Sequence, residues 1–419
     1  MKNSLLFLML IVAVVGCNDD DGTQYKMQNI ATPVIVEKAN LRASFDQQEM
    51  ESPRPILNSG KFYVYGDYIF INDIGVGIHV INNSNPNAPN KETFLPVPGS
   101  RDMEARDNIL YVDSYSDLVL FDLSNMNDIK YLKNYEDILG DSSDIWPLFS
   151  QQVDLVDYGD FDANTQIVVD WEYSRELRPA RSEEFFADGA LINTANGVNG
   201  FSGSGQGGSF ARFNIVNDRL YIINTGQLFV FDVSNQADPV VTHQQYLSWN
   251  VETIFNQGDY LYLGSTDGMH IYNITDVDNP SAVSRISHLL GCDPVVVEGD
   301  YAYVTVRGGN ACGQDFSFLE VIDVSDKTNP QIVKEYDMRE PYGLGIHDDR
   351  LFVSDGQYGL QIYDKSDPNS LKLVKIMENL NVFDVIPLED KMLMIGNDIL
   401  HQYSYSGQGI SEISTYQLN

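Results

Sequence analysis

One hydrophobic pattern recurs along this chain: runs of five or six residues in which apolar side chains alternate with polar or aromatic ones, the period of a strand. The runs come in pairs. The leading members are DYIFIN (67–72), NILYVD (108–113), RLYIIN (219–224), DYLYLG (259–264), DYAYVT (300–305), RLFVSD (350–355) and KMLMIG (391–396). Their partners are GIHVIN (77–82), LVLFDL (118–123), LFVFDV (228–233), MHIYNI (269–274), LEVIDV (319–324), LQIYDK (360–365) and LHQYSY (400–405). The equivalent positions Asn82, Asp122, Asp232, Asn273, Asp323, Asp364 and Ser404 are separated by 40, 110, 41, 50, 41 and 40 residues. A period near 40 with room for four short strands marks a propeller blade. The pattern therefore predicts an all-β fold over residues 60–419, a seven-bladed β-propeller.

The turns after the partner strands explain the polar positions without a ligand. An Asp closing the strand can accept backbone N–H bonds from the turn, Ser adds a cap, and Pro stops the ladder before the next strand. VFDVSNQADP (230–239), IYNITDVDNP (271–280) and VIDVSDKTNP (321–330) carry the unit intact, whereas INNSNPNAP (81–89) is looser and the last copy lacks both Asp and Pro. These units resemble the LVIVD repeat family, and the resemblance runs from about residue 60 to residue 405. It implies a propeller and says little about ligand.

Two intervals exceed the period. The longer places an insertion at 137–210, and the shorter adds nine residues between Val306 and Phe316. Links from blade to blade and turns joining second to third strands leave a propeller on one face, here called the top, so both insertions belong there. Within the long one, TQIVVDWEY (165–173) reads as a strand, ELRPARSEEFF (176–186) as a charged turn or helix, and GFSGSGQGGS (200–209) as a flexible linker. ATPVIVEKA (31–39) either adds a strand to the last blade or lies outside the ring.

Charge narrows the partners. With 60 acidic against 26 basic residues the formal charge is −34, which argues against phosphate-backbone binding and so against nucleic acid. Lys2, an apolar run from Leu5 to Val15, and VVGC ending at Cys17 read as a secretory signal too short to span a bilayer. Its form resembles a bacterial lipoprotein signal, which implies cleavage after residue 16 and lipid on Cys17. NDDDG (18–22) is similar to the acidic export tag of Bacteroidota surface lipoproteins. Residues 1–16 are thus expected to be signal peptide, residues 17–59 a lipidated acidic tether and N-terminal segment, and the destination the outer membrane, facing outward. The only membrane contact expected is the lipid.

Candidate chemistry is sparse. Cys292 and Cys312 form an even pair in an exported chain, both on the top of the fifth repeat, and a disulfide between them is expected. His79, His270 and His401 share one repeat position but would be rotated apart around the axis, so neither metal nor cofactor is expected. Asp102, Asp293 and Asp384 fall at the starts of inner strands and could face the axis, where carboxylates can serve a glycosidase or lyase. Trp146, Trp171 and Trp249, with seven of thirteen arginines, map to the top. Arg101, Asp102, Trp249, Asp293, Arg307, Arg339 and Asp384 are therefore the candidate ligand-binding residues. The function expected is a non-enzymatic propeller that binds a protein or glycan on its top face. The alternatives are a secreted carbohydrate-active enzyme using the axial carboxylates, and a scaffold subunit of a surface complex.

Overall fold

A computed structural model describes residues 25–47, 49–140, 153–179, 206–209, 211–224, 226–247, 251–265, 268–287, 294–308, 316–396, 398–406 and 409–419. Every repeat pair falls in its own antiparallel sheet, with four consecutive strands in chain order. The first sheet extends from strand Ser59–Tyr65 to Asn90–Pro96 and the second from Met103–Arg106 to Lys130–Tyr135. The third spans Phe213–Val216 to Val240–Tyr246, the fourth Val251–Gln257 to Ser281–Ile286, and the fifth Val295–Glu298 to Gln331–Asp337. The sixth spans Leu344–His347 to Lys372–Met377, and the seventh Asp384–Pro387 to Gly409–Gln417.

The apolar side chains of the strands are buried between sheets rather than within one. Tyr63 and Phe70 of the first sheet pack with Leu110, Val119 and Phe121 of the second. Each following sheet packs on its successor in the same way. One further cluster joins Ile386, Leu393 and Ile395 of the seventh sheet to Phe62, Ile69 and Ile71 of the first. No strand is shared across that junction among the described residues. Polar contacts reinforce it: Asn83 and Gln402 exchange amide hydrogen bonds at 3.0 and 2.7 Å, and Ser414 Oγ donates to the Pro86 carbonyl at 2.6 Å.

Two repeated devices explain the conserved spacing inside the unit. Asn82, Asp122, Asp232, Asn273, Asp323 and Asp364 each accept the backbone N–H two residues on, at 2.7–2.9 Å, as the turn chemistry predicts. The buried tyrosines of the second strands reach across to the turns of the next sheet, Tyr111 donating to the Gln236 carbonyl at 2.9 Å and Tyr221 to the Val277 carbonyl at 2.8 Å. A third device is not visible in sequence. The pairing of third with fourth strands slips by one residue in all seven sheets, always two residues before the turn Asp or its equivalent. A bulge at that point adds twist to each outer strand.

The N-terminal segment departs from expectation. Strand Tyr25–Glu37 pairs antiparallel with Gln166–Pro179 and parallel with Leu155–Val156, giving a separate sheet built by the chain start and the long insertion together. Residues 31–37 therefore add nothing to the last sheet, and residues 176–179 continue a strand instead of forming a charged turn. Helix Lys38–Asp46 then carries Phe45 into the core between the first two sheets, where it stacks on Tyr131 at 6.1 Å. Arg42 forks onto Asp117 with two bonds of 2.8 Å, and Lys38 meets Asp137 at 2.6 Å. Burial works against the Asp137 charge, yet Lys38, Arg42 and Ser116 bring its pKa down to about 2.

Candidate functional site

The axis comes first, because the sequence placed three carboxylates there. Residues 206–209 and 211–212 do not behave as a linker: Gln206 and Gly207 pair with Val64 and Tyr63 on the inner edge of the first sheet. Beyond them, Ser209 Oγ accepts from Leu344 N of the sixth sheet at 2.8 Å, and the Ala211 carbonyl accepts from Ile254 N of the fourth at 2.6 Å. Arg212 N donates to Asp102 Oδ2 beside the second sheet at 2.6 Å. These residues thus touch the inner strands of the first, fourth, sixth and seventh sheets and the residue that leads into that of the second. Small residues are required there, since a Cβ on Gly208 or on Gly343 would overlap the Asp384 carboxylate.

Around this segment lies a buried charge cluster. Lys61, in the middle of the innermost strand of the first sheet, is ion-paired with Asp102, and both are fully buried. Asp113 Oδ1 accepts from Arg101 N and Asp102 N at 2.7 and 2.8 Å, and its Oδ2 lies 3.6 Å from Arg212 Nη1. Arg212 Nη2 donates to Asn224 Oδ1 at 2.6 Å. Burial raises the pKa of Asp102 against the pull of Lys61, and that of Asp113 against Arg212. Asp384 is raised as well. Burial pushes it up to about 8, despite the Val385 and Ser209 N–H groups and Lys61. Among the described residues its Oδ2 has no hydrogen-bond partner.

A second group sits outside the axis, on the top of the fifth and sixth sheets. Arg307 lies over the Tyr342 ring at 4.1 Å, and Arg339 over the Tyr358 ring at 4.7 Å. Tyr342 packs edge-on against buried Phe383 at 4.9 Å and donates to Glu340 Oε1 at 3.2 Å. The backbone beneath is fixed. Buried Asp355 accepts from Arg339 N and Glu340 N at 3.2 and 2.7 Å, as Asp113 does for Arg101 N and Asp102 N. Thr305 Oγ1 donates to the Tyr342 carbonyl at 2.6 Å. Arg339, Gln357 and Tyr358 are exposed, and Arg307, Glu340 and Tyr342 half-buried. The result is a rigid patch of two cation-covered aromatic faces with a carboxylate between them.

The predicted site residues therefore divide. Asp102 and Asp384 belong to the sealed axis, Arg307 and Arg339 to the exposed patch, and Arg101 to the link beside the axis, its N–H held by Asp113. Trp249, Asp293, Cys292, Cys312, Trp146, Arg181 and Cys17 lie outside the described residues. Trp171 is a core residue of the accessory sheet, buried with Ala31 and Val168 and edge-on to Tyr158, so it offers no free face to a ligand. Two top-side arginines are likewise spent on internal carboxylates: Arg178 on Asp157 and Glu176, and Arg212 at the axis. His79 is fully buried, its Nε2 3.5 Å from Asp73 Oδ2. Among the described residues no group of His, Cys, Asp and Glu could hold a metal ion. Lys61, Asp113, Tyr342 and Tyr358 were missed; a lone lysine inside the inner strand GKFYVY was the one signal available.

Comparison with known proteins bears on the fold. No curated protein sequence matches the chain. Among solved structures, a computationally designed protein, Ika8, aligns over 88% of this chain and 90% of its own, with TM-score 0.51 and 8% identity. A protein from Lactobacillus plantarum covers 85% of this chain and 95% of its own at TM-score 0.52 and 11% identity. The periplasmic gluconolactonase PpgL of Pseudomonas aeruginosa covers 86% and 96% at TM-score 0.52 and 10% identity. At such identities the likeness is one of fold alone. The LVIVD repeat model matches residues 59–93 and 292–338, and together with these propeller-like neighbours it supports an LVIVD-repeat β-propeller.

Proposed function

We propose that the chain is a surface lipoprotein of the outer membrane in a member of the Bacteroidota: a closed ring of seven blades, anchored through lipid on Cys17, that binds a protein or glycan without catalysis. Packing of the seventh sheet on the first supports closure, and seven sheets carrying one repeat each support the count. Export of this kind would also oxidise Cys292 with Cys312. The observation that carries the binding reading is the contrast between a filled axis and a prepared surface. Asp102 and Asp384 are shut in by Lys61, Arg212 and the glycine segment. Arg307 with Tyr342, and Arg339 with Tyr358, stand on backbone fixed by Asp355 and Thr305. An aromatic face suits a sugar ring or an apolar side chain, and a guanidinium beside it suits a carboxylate or sulfate. The soluble domain should be screened on glycan arrays and against cell-surface extracts. Arg339→Ala with Tyr358→Ala should then weaken the ligand found by about 1–3 kcal/mol while the melting temperature barely moves. Undiminished binding by that double variant would reject this patch as the site.

A further inference from the structure

The accessory sheet holds a feature that the binding reading leaves unused. Its two long strands form a ribbon whose free end is residues 25–29 opposite 175–179, with Tyr25 facing Pro179, Met27 facing Leu177 and Asn29 facing Arg175. Alternation along each strand puts Tyr25, Met27, Leu177 and Arg175 on one face. Tyr25 is 63% exposed, Leu177 62% and Met27 43%. Farther along the same face the pattern changes: Ala31 and Trp171 are buried in the core of this sheet. At the end of the ribbon the apolar side chains are most exposed, with exposed Arg175 immediately behind them and Tyr173, 38% exposed, beyond it.

Its position in the chain gives that end a neighbour. Residues 18–24 are all that separate Cys17 from Tyr25, and fully extended they reach at most about 28 Å. A lipid on Cys17, as proposed above and on which this inference rests, would therefore hold the ribbon end close to the bilayer. Helix Lys38–Asp46, through Phe45, Arg42 and Lys38, ties the base of the ribbon to the first two sheets. The geometry points to the ribbon end as a second membrane contact: Met27 and Leu177 enter the interfacial zone, Tyr25 sits at headgroup depth, and Arg175 reaches back to lipid phosphate. The chemistry is that of interfacial anchors, where a tyrosine is favoured at the boundary and a long cationic side chain extends to the headgroups. Acyl chains alone leave a protein free to swing, and a second point of contact fixes its orientation.

The test separates this surface from native lipidation. The mature chain from residue 18, carrying an N-terminal hexahistidine tag and Cys292→Ser with Cys312→Ser, is tethered to phosphatidylcholine vesicles doped with nickel-chelating lipid. An environment-sensitive fluorophore is placed by Leu177→Cys, or by Thr242→Cys as a control on the third sheet. Tethering should blue-shift the probe at 177 and raise its emission several-fold, leave the probe at 242 unchanged, and lose the effect in Tyr25→Ser with Met27→Ser. A probe at 177 that stays water-exposed on tethered vesicles overturns the membrane contact, and a shift that appears without vesicles on raising protein concentration assigns the face to a second copy instead. Lipid labelling of Cys17→Ser cells, read separately, decides the anchor: labelling that survives the substitution defeats the lipoprotein reading and leaves the vesicle result standing by itself.

Discussion

The turns at the rim and the cluster at the axis use the same side chain in opposite ways. At the rim, Asp122, Asp232, Asp323 and Asp364 accept hydrogen bonds from the serine two residues on, which holds their carboxyls below the usual range. They are charged, wet and repeated. At the axis, burial raises Asp102, Asp113 and Asp384 instead, and their partners come from far along the chain. The rim turns give each sheet the same exit for little desolvation, whereas the axis holds charges that are tolerable only as a set. Local turns can therefore be varied singly, and the centre cannot.

The sharpest way to break the contrast is Lys61→Met, which leaves Asp102 buried without its cation. It should cost about 3–5 kcal/mol, measured by urea unfolding, because removing one partner of a buried pair strands the other. A cost below 1 kcal/mol would show that the axis is as forgiving as the rim. Asp384→Asn comes next. Burial pushes the Asp384 carboxyl up to about 8, well above the ordinary carboxylate range, so that it keeps a proton in the folded state that the unfolded chain releases. Its contribution is thus complete below about pH 4 and declines as pH rises to about 8, by about 1.4 kcal/mol per pH unit. The wild type should therefore lose stability relative to Asp384→Asn between pH 5 and pH 7; parallel profiles would mean that this carboxyl titrates normally. The smallest effect is at the rim, where Asp323→Ala forfeits its bonds to Ser325 and should cost about 0.5–1.5 kcal/mol in thermal unfolding.

This division also sets what the sequence could reveal. The strand pairs and turns were readable because their partners lie within a few residues: Asp323 and Ser325 are neighbours in any register. The axial cluster was not. Lys61 meets Asp102, Asp102 meets Arg212 N, and Gly208 meets Asp384, contacts between separate repeats that no local pattern announces. Glycines at 207 and 208 looked like a linker because composition records conformational freedom and not what the freedom serves. The pairing of strand Tyr25–Glu37 was hidden for a related reason: its partner, Gln166–Pro179, lies more than 120 residues away and outside the period. Of the candidate residues, Arg307 and Arg339 stood out as arginines in the stretches between strands, while Tyr342 and Tyr358 were indistinguishable from the many tyrosines of the strands.

The glycine segment also fixes an order of events in time. Residues 206–209 and 211–212 are made before the fourth sheet, yet they are held by Ile254, Leu344 and Asp384, and the last of these lies near the end of the chain. The first three sheets can form as each is made, but the contacts at the centre wait until the final repeat arrives. Contacts this distant in sequence are slow to form, since the intervening chain must be gathered before they repay the entropy. Completion of the molecule is therefore late, because the last sheet has to pack on the first beside a segment that has been waiting for it.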